Sequence, residues 1–447
     1  MVHLTDDSLT ILPRLRSLPF VDSLYCVWEG TFPEETDAQP DIPLTADIRR
    51  NAINSYGAGF TQIALNNGHL LHEAGFRGKG MEIAVLDAGF INADKIDGFN
   101  QERIKEIKNF NHETTDILRE SHYHGTMVLS CMLSDKPGEM TGTAPEADYY
   151  LFRTEVVDEE FPVEEDYWIA ALEYADSLGV DIATSSLGYS TFDDATMNHT
   201  QEQLDGQTIP ISKAANLAAS RGILLFNSAG NEGDKDWKKI IFPADAENII
   251  TLGSIDKDSI RSSFSSVGYT ADKRIKPDLM TMGSQVSVIN ELGEIIQANG
   301  TSFSTPIMAG LAACLWEACH DLNSFAMLQL LRETADHFQN PDSFTGYGVA
   351  DVYKAYLRQQ TGVQQVSVSP DPVYISINPF DNHLYINLFT SEQYARCMVD
   401  IYTTLGNRIL TVSDLSGSID VSFLPKGIYI VYLQMGDKHW VRKFVKG

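Results

Sequence analysis

The chain has 447 residues, a formal net charge of −28 and 43% hydrophobic residues. That length predicts two or three folded units, one of them large enough for a sizeable core. The acidic balance argues against a nucleic-acid or acidic-membrane partner, since both need a basic surface, and no apolar run reaches the length that crosses a bilayer.

The first residues, Met1-Val2-His3-Leu4-Thr5-Asp6-Asp7, have neither a basic region nor a hydrophobic core, so no secretory signal is expected in them. Residues 9–30 predict a short helix, with Leu9, Leu12 and Leu15 on one face, and then a strand over 20–28. Residues 31–43, rich in Pro, Asp and Glu, read as a linker. This piece is too small to fold alone and must dock on something. Cys26, Cys131, Cys314, Cys319 and Cys397 are scattered and odd in number, so no disulfide framework is written here. No Cys-x-x-Cys or Cys/His ligand spacing marks a metal site, and the thiols in apolar runs read as small hydrophobes.

Residues 55–74 read mostly as helix, closed by Gly75 and the Gly78-Lys79-Gly80 turn. The period then changes. Glu82-Ile83-Ala84-Val85-Leu86 is a short apolar run of the kind carried by a parallel strand buried on both faces, and it ends on Asp87-Ala88-Gly89. In open α/β sheets the chemistry collects at the carboxyl ends of strands. A carboxylate buried there needs a partner. The candidate partner lies in Ser121-His122-Tyr123-His124-Gly125-Thr126-Met127-Val128, a turn leading into an apolar helix. Two nearby histidines also suit a metal, but no third ligand stands at a usual spacing. Strands over 149–152, 180–185, 223–227 and 249–254 alternate with helices over 168–178 and 211–221, which predicts a doubly wound parallel sheet.

Asn299-Gly300-Thr301-Ser302-Phe303-Ser304-Thr305-Pro306 opens onto another apolar run, over 307–313. Gly300 permits a tight turn, and Pro306 suits a first helical turn, where a missing N–H costs nothing. Ser302 therefore stands where unpaired N–H groups and the positive end of a helix dipole converge. A hydroxyl there can simply cap the helix. It can also attack a carbonyl, with the N–H groups stabilising the oxyanion.

These stretches together resemble the subtilisin-like peptidases, the subtilases, over roughly residues 55–358. His124-Gly125-Thr126-Met127-Val128 is similar to the family's His-Gly-Thr-x-Val motif, and residues 300–306 to its Gly-Thr-Ser-x-Ala-x-Pro motif, with Ser304 in place of Ala. Ser186-Leu187-Gly188, Ser228-Ala229-Gly230-Asn231-Glu232-Gly233 and Lys276-Pro277-Asp278 also match at strand ends. The resemblance implies an α/β, subtilisin-like doubly wound sheet with helices on both faces, and a serine endopeptidase acting on protein or peptide substrates. A serine hydroxyl needs a base, and the imidazole base needs an anion to hold it. The implied assignment is Ser302 as nucleophile, His124 as base and then acid, Asp87 as orienting carboxylate and Asn231 as oxyanion donor. Ser186, Leu187, Gly188, Ala229, Gly230 and Glu232 would bind substrate. Glu232 would lie near the base of the specificity pocket and favour Lys or Arg before the scissile bond. No cofactor is implied; structural calcium occurs in the family, but no acidic loop here has an assignable pattern. Residues 1–40 look like the tail of a prosegment. An α/β hydrolase would need Gly-x-Ser-x-Gly, which is missing, and an inactive decoy would be expected to have lost a member of the triad.

The peptidase domain is expected over 41–360, followed by a linker over 361–372. Short alternating strands over 373–377, 383–388, 397–402 and 427–433 predict a small β-sandwich over 373–447. Asn378-Pro379-Phe380 and Leu424-Pro425-Lys426-Gly427-Ile428-Tyr429 resemble the C-terminal sorting domain of type IX secretion cargo. That resemblance implies the type IX machinery as a partner, an extracellular or outer-surface address and a signal peptide encoded upstream. An accessory sandwich that supports the enzyme or binds carbohydrate is the alternative reading.

Overall fold

The computed structural model describes residues 55–446 except 112–115, 120, 158, 361–372, 379–382, 389–396, 404–405, 414–417 and 436–437. The helix and strand expected over 9–30, both linkers, Pro379 and Phe380 lie outside the described residues. The described residues fall into two compact units, 55–360 and 373–446.

The first unit is built on seven parallel strands: β1 (Glu82–Asp87), β2 (Ile104–Asn109), β5 (Asp148–Arg153), β6 (Ile182–Ser185), β7 (Leu224–Ser228), β8 (Ile250–Ile255) and β9 (Leu279–Met282). A two-residue hairpin, β3 (Asp135–Lys136) and β4 (Met140–Thr141), lies outside that sheet. The sheet order is β2-β5-β1-β6-β7-β8-β9, so the strand order reverses at β1. Successive residues of β1 serve opposite faces. Ile83 and Val85 join one apolar cluster, Ala84 and Leu86 the other, and all four are fully buried. This is why the run is continuously apolar rather than alternating.

Two short helices, α1 (Phe60–Ala64) and α2 (Gly68–Glu73), replace the single helix expected over 55–74. The break falls at Asn67, whose φ of 58° is left-handed and cannot continue a helix. On the Ile83/Val85 face lie α3 (His124–Leu133) and α6 (Thr301–Ala318); on the Ala84/Leu86 face lie α4 (Val163–Leu178) and α5 (Pro210–Arg221). α7 (Ser324–Glu333) and α8 (Val352–Gln360) complete the unit. A hairpin of β10 (Val286–Ile289) and β11 (Ile295–Ala298) precedes α6. Residues 301–316 of α6 are all buried, including Ile307, Met308, Leu311 and Leu315. Each such large side chain contributes about 1.5–3 kcal/mol relative to exposure. Cys131, Cys314 and Cys319 are buried free thiols, as their apolar surroundings predicted.

Pro306 corrects one expectation. The helix starts at Thr301, so Pro306 lies inside it rather than in its first turn.

The second unit pairs a three-stranded antiparallel sheet, β12 (Val373–Asn378), β13 (His383–Leu388) and β16 (Ser418–Asp420), with a four-stranded one of order β15-β14-β17-β18. The latter comprises β14 (Cys397–Thr403), β15 (Arg408–Ser413), β17 (Gly427–Met435) and β18 (Lys438–Lys446). Leu384, Val399, Ile401, Ile419, Val431 and Leu433 share one small core. The Leu-Pro-x-Gly-x-Tyr stretch is a structural corner: Leu424 is buried, and the Tyr429 hydroxyl donates to the Pro425 carbonyl at 2.7 Å.

Candidate active site

Asp87 ends β1 at the point where the strand order reverses, between the ends of β5 and β6. Its carboxylate is fully buried. Oδ1 accepts from the Ala88 N–H at 2.7 Å and from His124 Nδ1 at 2.8 Å. Oδ2 has no partner among the described residues. The carboxylate charge is thus directed at one imidazole. Arg153, at the end of the neighbouring β5, braces the turn through Nε to the Ala88 carbonyl at 3.1 Å.

His124 is the first residue of α3, and its side chain is 23% exposed against 0% for Asp87, so the ring can meet a substrate while the carboxylate cannot. Burial pulls the imidazole pKa down. The charge and hydrogen bond of Asp87 outweigh that and raise it above the ordinary 6.5. His122 supports the start of α3. Its Nδ1 accepts the His124 backbone N–H at 3.2 Å and its ring stacks on Tyr123. Burial, then the charge of His124, lowers its pKa.

Gly300, at φ 152°, turns the chain into α6, and Ser302 is the second residue of that helix. Pro306 has no N–H to offer the carbonyl one turn back, that of Ser302. Ser186, just past the end of β6, takes that place: its Oγ donates to the Ser302 carbonyl at 2.7 Å. In return the Ser302 Oγ donates to the Ser186 carbonyl at 3.4 Å, and among the described residues it makes no bond to His124. The His124 ring lies 5.8 Å from that of Phe303, the next residue after Ser302. The Ser304 hydroxyl is fully buried and donates to the Thr281 carbonyl at 3.4 Å.

Asn231 follows β7. Its Oδ1 accepts from both the N–H and the hydroxyl of Thr301, each at 3.0 Å. With the oxygen held, the amide NH₂ faces the helix entrance: a Cβ placed on Gly300 would be 3.7 Å from Asn231 Nδ2 and from Ser302 Cβ. The clamping role of Thr301 was missed in the sequence, although its place directly before Ser302 was the available signal.

The remaining expected substrate contacts fall on two segments that flank this point. Leu187 is held by its carbonyl, which accepts from Asn227 Nδ2 and Ser228 Oγ, each at 3.3 Å. Ala229 is tied to β8 through Leu252 and Gly230 to the Thr301 hydroxyl, at 2.9 and 3.2 Å. Ile241 fills the space between the segments: a Cβ on Gly188 would lie 2.6 Å from Ile241 Cδ1, and one on Gly230 2.9 Å from it. Glu232 ends the second of these segments. Its carboxylate lines an adjoining cavity and pairs with Lys235 at 2.9 Å. The other acidic and hydroxyl residues of that cavity were not foreseen, since they come from loops with no local motif.

A buried carboxylate bonded to an imidazole at a sheet switch point, with a serine at a helix entrance and an oriented amide beside it, has the parts of a nucleophilic hydrolase. Residues 78–348 match the family model of the subtilase family, and the chain belongs to that family. Residues 378–447 match the model of the secretion system C-terminal sorting domain. Among curated proteins, the chain is 27% identical over 321 residues to the membrane-bound transcription factor site-1 protease of Homo sapiens, covering 70% of this chain but only 28% of that protein's length. It is 27% identical over 289 residues to subtilisin NAT of Bacillus subtilis subsp. natto, covering 64% of this chain and 68% of that protein. Among solved structures, MycP1 from Mycobacterium smegmatis superposes with a TM-score of 0.53 at 19% identity, over 66% of this chain and 84% of that one, a likeness of fold.

Proposed function

We propose that this chain is a serine endopeptidase in which Ser302 attacks the peptide carbonyl, His124 takes the serine proton and returns it to the leaving amine, and Asp87 holds the imidazole. The observation that carries the reading is the 2.8 Å bond between His124 Nδ1 and the buried Asp87 Oδ1. It fixes the tautomer that leaves Nε2 as the acceptor a serine needs. For attack the Ser302 hydroxyl would leave the Ser186 carbonyl and turn to Nε2. Apo sites are often loose at this bond. The developing oxyanion would be met by Asn231 Nδ2, whose amide is oriented by the Oδ1 bonds to Thr301, and by the Ser302 backbone N–H. Ser186 through Gly188 and Ala229 through Glu232 supply the walls for the peptide.

The division proposed is a prosegment-like remnant over 1–40, a peptidase domain over 41–360, a linker over 361–372 and a sorting domain over 373–447. The match of residues 378–447 to a sorting-domain model supports export by the type IX machinery to the outer surface or medium. A fluorophosphonate, which forms a covalent adduct with an activated serine, tests the enzyme reading. Labelling at Ser302 is expected, together with hydrolysis of a peptide mixture; an unlabelled, folded protein would overturn it.

A further inference from the structure

Beside the two wall segments lies a cavity of about 350 Å³. Three carboxylate residues line it, Glu160, Asp193 and Glu232, together with the hydroxyl residues Ser190 and Thr191. Its position ties it to the reacting centre. Gly188, in its wall, is two residues from Ser186, whose carbonyl accepts the Ser302 hydroxyl, and Glu232 is the neighbour of Asn231.

The acidic side of the cavity is built by two loops that clasp each other. The Asp193 N–H donates to the Glu160 carbonyl at 3.0 Å, and the Glu160 N–H donates to Asp193 Oδ2 at 3.3 Å. Behind them, carboxylate oxygens of Glu155, Glu160 and Glu164 come within 4.8 Å of one another. The Glu160 carboxyl is pushed up to about 7 by burial and then by the charges of Glu164 and Asp193. Ile241 and Phe192 also line the cavity. Lys235, itself 60% exposed, is the cation on Glu232 and lies on the solvent side. A long alkyl stem ending in a positive charge matches a lining of carboxylates with two apolar side chains.

We infer that this cavity selects a lysine or arginine side chain of the substrate on the acyl side of the scissile bond, with Asp193, Glu232 and Glu160 receiving its charge and Ile241 and Phe192 its stem. The inference rests on the proposed peptidase function and adds its substrate class. Glu160 and Asp193 act by binding the side chain, not by chemistry at the carbonyl, so their effect belongs in the choice among peptides. Entry of the cation displaces Lys235 from Glu232 and sets a positive charge among carboxylates that otherwise repel one another.

Matched fluorogenic peptides test this, differing only in Lys, Arg, Leu or Glu at the residue whose carbonyl is attacked. In the wild-type protein, kcat/KM for the Lys and Arg peptides should exceed that for Leu by at least tenfold, with Glu the poorest. The pair Asp193→Asn with Glu232→Gln should lower the Lys-to-Leu ratio at least tenfold. A Leu peptide cut as well as Lys or Arg by the wild type overturns the inference without any variant, as does a ratio that the paired variant leaves unchanged. Fluorophosphonate labelling of the wild type, which needs no side chain in the cavity, separates the two readings. Labelling without basic preference sinks the cavity assignment alone, whereas loss of labelling and of all cleavage sinks the peptidase reading and this inference with it.

Discussion

Ser186 and Ser302 hold each other by two hydrogen bonds of opposite sense, hydroxyl to carbonyl in each direction, at 2.7 and 3.4 Å. The stronger one exists because Pro306 leaves the Ser302 carbonyl without its helical donor. Ser186→Ala should therefore orphan a buried carbonyl at a cost of about 1–3 kcal/mol. In a Pro306→Ala background, where residue 306 regains an N–H, the same change should cost clearly less. Thermal or urea unfolding of the four proteins of this double-mutant cycle measures the coupling, and equal costs in both backgrounds would refute it.

Ser302→Ala should abolish peptide hydrolysis and fluorophosphonate labelling while leaving the unfolding transition near that of the parent. Ser304→Ala should keep both activities, because its hydroxyl is committed to Thr281. A labelled Ser302→Ala protein would move the nucleophile elsewhere.

Asn231→Ala should keep labelling and cut turnover by about 10²–10³, the loss known for the equivalent donor in subtilisin itself. Thr301→Val should reproduce part of that loss, because one of the two bonds that aim the amide is removed. Turnover measured at saturating peptide decides both.

The pH profile follows from His124. Its pKa is raised in the fold, so the protonated form is favoured and activity, which needs the neutral base, should climb with pH through a value above 6.5. The same shift stabilises the fold fully below the unfolded pKa, and that contribution fades as pH rises through the folded one. Asp87→Asn removes the charge that raises it, so the profile should move to lower pH while kcat falls by about 10⁴, the scale set by the same change in trypsin-like enzymes. An unmoved profile would show that another group titrates.

His72 has the opposite sign. Buried between the Tyr56 hydroxyl at 3.0 Å and the Thr143 carbonyl at 2.9 Å, it is lowered by burial to about 4. The unfolded chain then binds more protons between about 4 and 6.5, so stability should fall as pH drops through that window. His72→Gln should flatten that part of the stability curve, whatever its effect at neutral pH. Urea midpoints from pH 4 to 7 supply the measurement.

The central strands were legible because burial on both faces forces a continuous apolar run, as in residues 82–86, and the helix entrances because glycine and small hydroxyl residues cluster there. β2 was not, since Ile104-Lys105-Glu106-Ile107-Lys108-Asn109 is an edge strand whose residues are only partly buried or exposed. The break at Asn67 was signalled by Asn66-Asn67-Gly68, a turn sequence, but the apolar spacing of Leu65, Leu70 and Leu71 masked it. Asp87, His124, Ser302 and Asn231 each carried a local motif. The acidic cavity carried none, because residues 160 and 188–193 meet only through the fold, and the seating of Ile241 between two glycines is likewise a tertiary fact.

Ser302 rides on α6, a helix whose first sixteen residues, 301–316, are all buried. Residues 301–316 must be wrapped by strands and helices drawn from most of the domain before Ser302 meets Ser186, or Thr301 meets Asn231. On the proposed peptidase reading, a chain whose core has not yet closed would carry every reactive residue and no reactive centre.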